Sequence, residues 1–353
     1  MIDSSPRKGT GREKAPARMP RTGRGMPSPM ETESAVVEDS ADGALRPSFL
    51  IAGERRCGTT FLADLLRRHP DIFLHPKSDK AWFVDDAVRR PDGAGPPWEE
   101  THRLEDYLRW FAEAGATPTR TVGEKSADYL FWDPAHARIA RLLPGVRLVV
   151  LLRDPVARAW SHYWNEIVKR RERLGFEEAV AREEERSGIS PWHRYNFSYL
   201  ARGDYAASLD RLYRHIPPER VLVTVFEELR HRPEPGLAAI CRFLGVDDGL
   251  RLAPSSEARN ANWAVVPRPW AAHGPARRLA EGWGAAADWM AKRLSRDRYR
   301  RREWAVRLRA PFFFPARRMR MPPEVERRLR VHFRPRIARL EELLGRRLEL
   351  WRR

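Results

Sequence analysis

The sequence has few of the features that mark secreted disulfide proteins, membrane-spanning proteins or metalloproteins. Its 353 residues include two cysteines, Cys57 and Cys241, too few for a disulfide framework. No apolar run approaches the roughly 18 residues that a membrane span requires, and no segment of signal-peptide type opens the chain. No His/Cys cluster has metal-ligand spacing. We therefore expect a cytoplasmic protein that needs no metal.

The composition separates a tail from a single domain. Hydrophobic residues make up 42% of the chain, which is enough for the core of one large α/β domain. The first residues, to about 45, are rich in Pro, Gly, Ser, Arg and Glu, so they cannot offset the entropy cost of becoming ordered. We predict a disordered tail over residues 1–46 and one domain over residues 47–353.

The positive charge is concentrated in the last quarter of the chain. The net charge is +18, and residues 268–353 hold 25 Lys and Arg against 9 Asp and Glu. This bias is typical of proteins with an anionic partner such as nucleic acid, acidic lipid or acidic glycan, or of an Arg-rich helical surface in water. Residues 270–320 form a basic segment with many aromatics. It predicts either a helical hairpin that contacts a lipid-linked or amphiphilic acceptor, or two helices that pack their aromatic faces on the domain.

The stretch Ser48–Leu66 predicts a strand, a glycine-bounded loop and a helix. Residues 49–52 form an apolar run typical of a buried parallel strand, and apolar residues recur at helical spacing after the loop. The loop, GERRCGTT, would aim backbone N–H groups and the positive end of a helix dipole at one point, where a phosphate binds. It resembles the nucleoside triphosphate loop G-x-x-x-x-G-K-[ST]. However, Thr59 stands where the lysine belongs, and the charge lies at Arg55 and Arg56.

A second stretch, GVRLVVLLRDPVARAWSHYWNE, repeats this arrangement. Residues 146–152 predict a buried strand, and Pro155 opens a helix after it. Arg153 therefore lies at a strand's carboxyl edge, the side on which open α/β sheets bind ligands. Ser161 lies roughly two turns into the helix, where it and Arg153 could clamp one isolated phosphate. Arg153 could instead pair with Asp154 and cap the sheet.

A carboxylate between two lysines is a candidate base. Asp79 lies between Lys77 and Lys80 in HPKSDKAWF, before two aromatic residues. An acceptor hydroxyl or amine needs such a base within hydrogen-bond reach, although the same pattern also fits an ordinary surface loop. Further along, GEKSADYL places Lys125 at the end of a predicted strand.

These stretches together resemble the sulfotransferases that use 3′-phosphoadenosine 5′-phosphosulfate (PAPS), in their bacterial and glycosaminoglycan-modifying branch. Later stretches agree, with Gly203 and Tyr205 in the family's G-x-Y helix, residues 237–246 in its F-L-G helix, and a closing C-terminal helix. The resemblance covers Ser48–Trp351. It implies an α/β fold in a single domain, with a P-loop-like parallel sheet flanked by helices on both faces.

The resemblance also implies roles for individual residues. The first loop would bind the 5′-phosphosulfate, and Arg153 with Ser161 would hold the 3′-phosphate that distinguishes PAPS from ATP. Lys125 and Arg56 would stabilise charge on the bridging oxygen as its bond to sulfur breaks. Asp79 would take the acceptor proton. The residues predicted to bind the donor are Arg55, Arg56, Cys57, Gly58, Thr59, Thr60, Arg153, Ser161, Arg259 and Asn260.

The chain departs from the family pattern at three places. Arg56 stands where many relatives have Lys, which keeps the charge and alters the hydrogen-bond geometry. Asp79 aligns with a family glutamate that is one methylene longer, so His75 and Glu124 stay alternatives for the base. The Lys-Gly-rich loop that closes over the donor in glycosaminoglycan enzymes is replaced by SSEARNANWAVVPRP, which holds the last two residues of the donor-binding set.

The predicted function is sulfuryl transfer from PAPS to a hydroxyl or amine of an acceptor such as a carbohydrate, glycolipid or natural product. The expected partners are this small-molecule, glycan or lipid acceptor and a peripheral membrane contact, with no nucleic acid. Two alternatives stay open. A nucleotide kinase or ATPase would need a lysine after Gly58 and an acid directly at a strand end. A nucleic-acid or membrane-surface binder would use only the basic last quarter.

Overall fold

The computed structural model describes residues 45–77, 79–250, 265–267, 274–295, 298–315 and 320–352. The predicted tail lies outside them except for its last two positions. The strands in the described residues are β1 (Phe49–Gly53), β2 (Ile72–Leu74), β3 (Thr121–Lys125), β4 (Arg147–Leu152), β5 (Val221–Val225), β6 (Val265–Pro267) and β7 (Phe313–Pro315).

The α-helices of the same residues are α1 (Thr59–Leu66), α2 (Trp98–Thr101), α3 (Leu104–Glu113), α4 (Asp133–Leu142), α5 (Pro155–Val168), α6 (Phe176–Ala181), α7 (Glu183–Ile189), α8 (Pro191–Phe197), α9 (Tyr205–Tyr213), α10 (Phe226–His231), α11 (Pro233–Leu244), α12 (Gly274–Leu294), α13 (Arg298–Arg309) and α14 (Pro323–Leu344). None of these described helices is long and apolar enough to cross a membrane.

Five parallel strands form the central sheet, in the order β2-β3-β1-β4-β5. Ile51 of β1 pairs with Lys125 of β3 on one side and with Val149 of β4 on the other. The carboxyl ends of β1, β3 and β4 are therefore neighbours at one edge of the sheet. This order brings the loop after β1, Lys125 and Arg153 to the edge where open α/β sheets bind ligands.

Helices cover both faces of the sheet. Alternate residues of β1 enter two separate apolar clusters, Leu50 and Ala52 one of them, Phe49 and Ile51 the other. Helices α3, α4 and α9 pack in the first cluster, and α1 and α11 pack in the second. Because β1 and β4 are buried on both faces, their sequences are continuous apolar runs and do not alternate. The predicted fold class is confirmed.

The G-x-Y motif joins the sheet to the closing helix. A Cβ on Gly203 would lie 2.7 Å from the ring of Phe333 on α14, so only glycine allows this helix to pack so closely. Tyr205 begins α9, and its hydroxyl donates to the Arg153 carbonyl at 2.8 Å. Both residues of the motif therefore fix the surroundings of the carboxyl end of β4.

A helical hairpin precedes the closing helix. β6 and β7 pair antiparallel, and α12 and α13 lie between them in the chain and pack on each other. The basic aromatic segment is therefore helical in much of its described part. Trp283, Trp289 and Trp304 are 36%, 55% and 38% exposed. The predicted packing of aromatic faces therefore fails for Trp289, which is mostly exposed, whereas Trp283 and Trp304 are covered over the larger part of their surface.

Candidate active site

The loop after β1 is shaped for an anion, but fewer of its N–H groups are available than the sequence suggested. The N–H groups of Glu54, Arg55 and Cys57 donate to protein acceptors, the Leu151 carbonyl, the Glu54 carboxylate and the Glu54 carbonyl. Helix α1 begins at Thr59, and no described side chain caps it. Its first N–H groups therefore point out of the helix end, where the dipole favours negative charge.

Gly58 makes the turn into α1 possible. Its φ is 88°, in the left-handed region, and a Cβ there would lie 2.2 Å from the ring of Phe226. Any other residue would meet both backbone strain and a steric clash. The Phe226 ring lies against the Gly58 backbone, and the Arg153 guanidinium lies 5.6 Å from the centre of that ring. The second glycine of the loop thus allows the ends of β1 and β5 to approach each other.

Two arginines from neighbouring strand ends meet beside α5. Arg56 Nε donates to Ser161 Oγ at 3.0 Å and its Nη1 to Asn165 Oδ1 at 3.4 Å. Arg153 Nη1 donates to the Arg56 carbonyl at 3.1 Å. These four residues are called the α5 cluster below. Burial and, next, the charge of Arg153 lower the pKa of Arg56 to about 10, and the Glu166 carboxylate opposes this shift.

The α5 cluster changes one expectation and settles an alternative. The pockets expected for the two phosphates are in contact, because Arg56 and Ser161, assigned to different phosphates, are hydrogen-bonded to each other. Asp154 does not pair with Arg153. Its carboxylate caps α5 by accepting from the Ala157 N–H at 2.9 Å, and it also accepts from Arg330 at 3.3 Å.

On the other side of the loop, two arginines are neutralised by two buried carboxylates. The Arg55 guanidinium lies 2.8 Å from Asp128 Oδ1 and 4.3 Å from the centre of the Tyr195 ring. Arg202 reaches the same Asp128 oxygen at 2.9 Å and Glu54 Oε1 at 2.6 Å. The Tyr195 hydroxyl donates to Asp128 at 2.6 Å. We call these five residues the buried cluster.

The buried cluster holds the loop and does not line it. Burial alone would raise the pKa of Asp128, but the charges of Arg55 and Arg202 outweigh it and hold that pKa well below its usual range. Burial raises the pKa of Glu54, and Arg202 opposes the rise. The Arg55 side chain is engaged with Asp128 and Tyr195, so here it positions the loop, and its predicted contact with the donor stays a prediction.

Lys125 links the end of β3 to both the loop and the candidate base. Its ammonium donates to Thr60 Oγ1 at 3.4 Å and forms an ion pair with Asp79. The Lys125 side chain is 2% exposed, whereas that of Asp79 is 48% exposed. The Asp79 side chain is therefore open to solvent, while Lys125 is buried at the sheet edge.

The backbone at Asp79 is held in an uncommon conformation. Its φ is 58°, and two residues later Ala81 has a φ of 51°. The Asp79 N–H donates to the Lys125 carbonyl at 2.8 Å, and its carboxylate accepts from the Ala127 N–H at 3.2 Å. Left-handed φ values persist at non-glycine residues where surrounding contacts fix them, and they are frequent at functional sites. An ordinary surface loop has no need of these contacts.

The two alternative bases are buried and engaged in structural contacts. His75 stacks on Trp110 with ring centres 3.4 Å apart, and both of its nitrogens lie near backbone atoms. Burial lowers the pKa of His75. Glu124 is fully buried and accepts from the hydroxyls of Tyr129 at 2.6 Å and Tyr107 at 2.8 Å. Burial raises the pKa of Glu124 to about 7, against the effect of both hydroxyls. The geometry therefore favours Asp79.

Comparison with known proteins identifies the family. The model of the Sulfotransferase family matches residues 47–249, more than half of the chain. The chain belongs to the sulfotransferase family. A sulfotransferase from Alicyclobacillus acidocaldarius, known from its crystal structure, is 29% identical with a TM-score of 0.60, and the match covers 88% of this chain and all of that one.

Two curated relatives of the sulfotransferase domain are much longer than the matched part. The Mus musculus bifunctional heparan sulfate N-deacetylase/N-sulfotransferase 3 is 27% identical over 206 residues, 57% of this chain and 22% of that protein. The Homo sapiens heparan sulfate glucosamine 3-O-sulfotransferase 3B1 is 28% identical over 210 residues, 57% of this chain and 46% of that protein. The chain therefore matches less than half the length of each.

Some sulfotransferase site residues were missed in the sequence, and others cannot be placed. Arg202, Asp128 and Tyr195 were missed because their partners are far away in the chain. Glu54, inside the loop itself, was the available signal, since a carboxylate in an anion-binding loop needs a cation nearby. Arg259 and Asn260 lie outside the described residues. No group of three or more His, Cys, Asp or Glu in the described part could hold a metal ion.

Proposed function

We propose that this sulfotransferase moves the sulfuryl group of PAPS to a hydroxyl or amine of a carbohydrate, glycolipid or natural product. The observation that supports the proposal best is the convergence of Arg56, Lys125 and Arg153 at the neighbouring carboxyl ends of β1, β3 and β4. Three cations and an uncapped helix N-terminus at one sheet edge fit a ligand that carries several anionic groups.

The residues present fit the donor. Thr59, Thr60 and the start of α1 would hold the 5′-phosphosulfate together with Arg56, and Arg153 with Ser161 would hold the 3′-phosphate. Burial and the charge of Arg153 both disfavour the charged form of Arg56 and lower its pKa. An anion placed there would therefore be stabilised by both arginines. PAPS supplies an activated sulfuryl group, and the protein supplies position and charge.

The acceptor would approach from the Asp79 side. Transfer would form a bond between the acceptor oxygen or nitrogen and sulfur, and break the sulfur–oxygen bond to the phosphate. The electron pair would stay on the phosphate oxygen, near Lys125 and Arg56, and the acceptor proton would pass to the Asp79 carboxylate. Asp79 is accessible and paired with Lys125, so base and cation are held within one ion pair.

Charges beside Asp79 favour an acceptor that is itself acidic. Lys77 is exposed. The Lys80 ammonium lies 4.3 Å from the centre of the Trp82 ring and 4.6 Å from that of Trp110. Cations over aromatic faces suit sugars that carry carboxylate or sulfate groups. We therefore favour an anionic glycan among the acceptor classes, and the names of the heparan sulfate relatives agree with this preference.

The kinase alternative is less consistent with the site. Thr59 occupies the place of the phosphate-binding lysine, and the residue after β4 is Arg153. The next residue, Asp154, caps α5 and also accepts from Arg330, so its carboxylate is engaged within the protein.

A thermal-shift comparison tests the proposal. We expect adenosine 3′,5′-bisphosphate to raise the melting temperature and ATP with Mg²⁺ to have little effect. Arg56→Ala should abolish the shift, whereas Arg68→Ala, at the far end of the same helix, should keep it. Stabilisation by ATP with Mg²⁺ alone would favour a kinase, and no response to either nucleotide would favour a binder that uses only the basic last quarter.

A further inference from the structure

Helix α12 presents an apolar face to solvent. Leu279, Trp289 and Leu294 are 67%, 55% and 54% exposed. At 100° per residue, these three and Trp283 fall within an arc of about 140°. Large apolar side chains are scattered singly on most protein surfaces, but here four lie within one arc of a single helix, with Arg293 among them. We call these four residues the α12 stripe.

The hairpin packs mainly through another face of α12, although Trp283 of the stripe also bonds to α13. The adjacent face of α12 is made of small residues, and Ala280, Gly284, Ala287 and Ala291 are buried on it. Small side chains let α13 and the Phe313 ring approach closely, and a Cβ on Gly284 would lie 3.5 Å from that ring. The packed face and the exposed face are therefore separate, and the exposed one is available for a partner.

The tryptophans of the hairpin are anchored at one end and open at the other. Trp283 donates its indole N–H to the Leu308 carbonyl of α13 at 2.7 Å. The Arg293 guanidinium lies 4.1 Å from the centre of the Trp289 ring. On α13, the Arg307 guanidinium lies 5.6 Å from the centre of the Trp304 ring. Indole rings with a cation alongside are typical of surfaces at the boundary between an apolar layer and water.

The charge of the hairpin has one dominant sign. Residues 274–315 contain 11 Lys and Arg against 4 Asp and Glu. Arg278, Lys292 and Arg293 are exposed beside the α12 stripe. Asp288 points away from the stripe and pairs with Arg309 of α13. The exposed side therefore combines an apolar stripe with cations at its border.

We infer that the α12 stripe docks on the surface of an anionic phospholipid bilayer. Leu279, Trp289 and Leu294 would enter the boundary between headgroups and acyl chains, and Arg278, Lys292 and Arg293 would contact the phosphates. An amphipathic helix with Trp and Leu on one face and basic residues next to them is the usual form of such a contact. Charge complementarity decides for lipid over a second copy of this chain, because two such hairpins would repel each other.

Vesicle sedimentation with the full chain tests this inference. The probes are vesicles of phosphatidylcholine alone and of phosphatidylcholine mixed with phosphatidylglycerol. We expect binding to the mixed vesicles and little to the neutral ones. Leu279→Ser with Trp289→Ser and Leu294→Ser keeps every charge and should lower the affinity by about tenfold or more. Ile189→Ser with Val331→Ser, at residues that are 60% and 69% exposed elsewhere, should not change it.

Two further readouts complete the test. The thermal shift with adenosine 3′,5′-bisphosphate should be the same in both variants, which shows that they are folded. Brominated acyl chains should quench tryptophan fluorescence in the wild type more than in the triple variant. No vesicle binding, or equal binding by wild type and triple variant, would overturn the inference. A wild-type dimer that the triple variant converts to a monomer would overturn it in favour of self-association.

Discussion

Arg55 and Arg56 are neighbours in one loop, yet they belong to two regions with opposite electrostatics. Arg55 turns into the buried cluster, where Asp128 and Glu54 balance it and Arg202. Arg56 turns towards α5, where its described hydrogen-bond acceptors are the neutral side chains of Ser161 and Asn165. One region has its charges balanced inside the protein, whereas in the other the two arginines oppose each other.

Two neighbouring residues therefore have different tasks: Arg55 fixes the loop, and Arg56 is placed to bind an anion. A buried arginine paired with a carboxylate has little left to offer a ligand, but it fixes the backbone on which it sits. A buried arginine whose charge is opposed by a neighbouring arginine gains when an anion binds beside it. The comparison predicts that substitutions in the buried cluster change stability, while those at the open sheet edge change binding or rate.

The largest expected effect is on the rate of sulfuryl transfer and comes from a change at Asp79. Asp79→Asn should lower sulfuryl transfer by about 10²–10⁴-fold, because a general base contributes that much. Transfer is measured from labelled PAPS to acceptors in a cell extract, and bisphosphate affinity by calorimetry should stay nearly unchanged. Asp71→Asn is the matched control, since its carboxylate is 59% exposed outside the site. A full rate in Asp79→Asn would remove Asp79 from the proposal.

The second effect is on stability, in the buried cluster. Arg202→Met leaves the carboxylates of Glu54 and Asp128 buried with one partner fewer, and should cost about 3–5 kcal/mol of unfolding free energy. Urea denaturation measures the loss. The double change Arg202→Met with Glu54→Gln removes one of the stranded charges and should recover part of it. A loss below about 1 kcal/mol, typical of exposed pairs, would mean that the cluster is not structural.

The third effect concerns a buried carboxyl whose described partners are hydroxyls. The pKa of Glu124 is raised from 4.5 to about 7, so between these values the folded state holds a proton that the unfolded state has lost. Stability should therefore fall as pH rises through this window, by about 3 kcal/mol. Glu124→Gln should remove this part of the pH dependence in denaturation curves recorded from pH 4.5 to 8. Parallel curves for the two proteins would contradict the assignment.

The smallest effect distinguishes the two phosphates. Ser161→Ala removes one polar contact and should lower the affinity for adenosine 3′,5′-bisphosphate by about tenfold. Adenosine 5′-monophosphate, which lacks the 3′-phosphate, should bind almost as before in the same calorimetric titration. Ser187→Ala, on α7 and away from the sheet edge, serves as the control. Equal losses for the two nucleotides would show that Ser161 does not recognise the 3′-phosphate.

The sequence predicts the strands at the site because strands buried on both faces consist almost entirely of apolar residues. β1 and β4 are apolar throughout, so their ends, and with them Arg153 and the loop, could be located within a residue or two. Proline at the start of α5 fixed the position of Ser161. The placement of Lys125 beside the loop follows from the strand order, which the residues alone do not give. The family resemblance implied only a role for Lys125 alongside Arg56.

The buried cluster could not be predicted, because it depends on which distant segments meet. Arg202 and Asp128 are 74 residues apart, and nothing local distinguishes Arg202 from the many other arginines. The direction of the Arg55 side chain could not be predicted for the same reason, since direction within a loop depends on partners outside it. The exposure of the α12 stripe was also open, because helical periodicity shows a face without showing what covers it. The cytoplasmic location stays a prediction.

Cys57 lies between the two regions, and its thiol gives the loop a chemical reporter. It is buried beside the Tyr205 hydroxyl, 3.6 Å away, and burial raises its pKa to about 12. Thiolate is the form that alkylating reagents attack, so the closed loop is inert to them at neutral pH. The rate of alkylation of Cys57 would then report how often the loop opens. A bound nucleotide that holds the loop shut would slow the reaction.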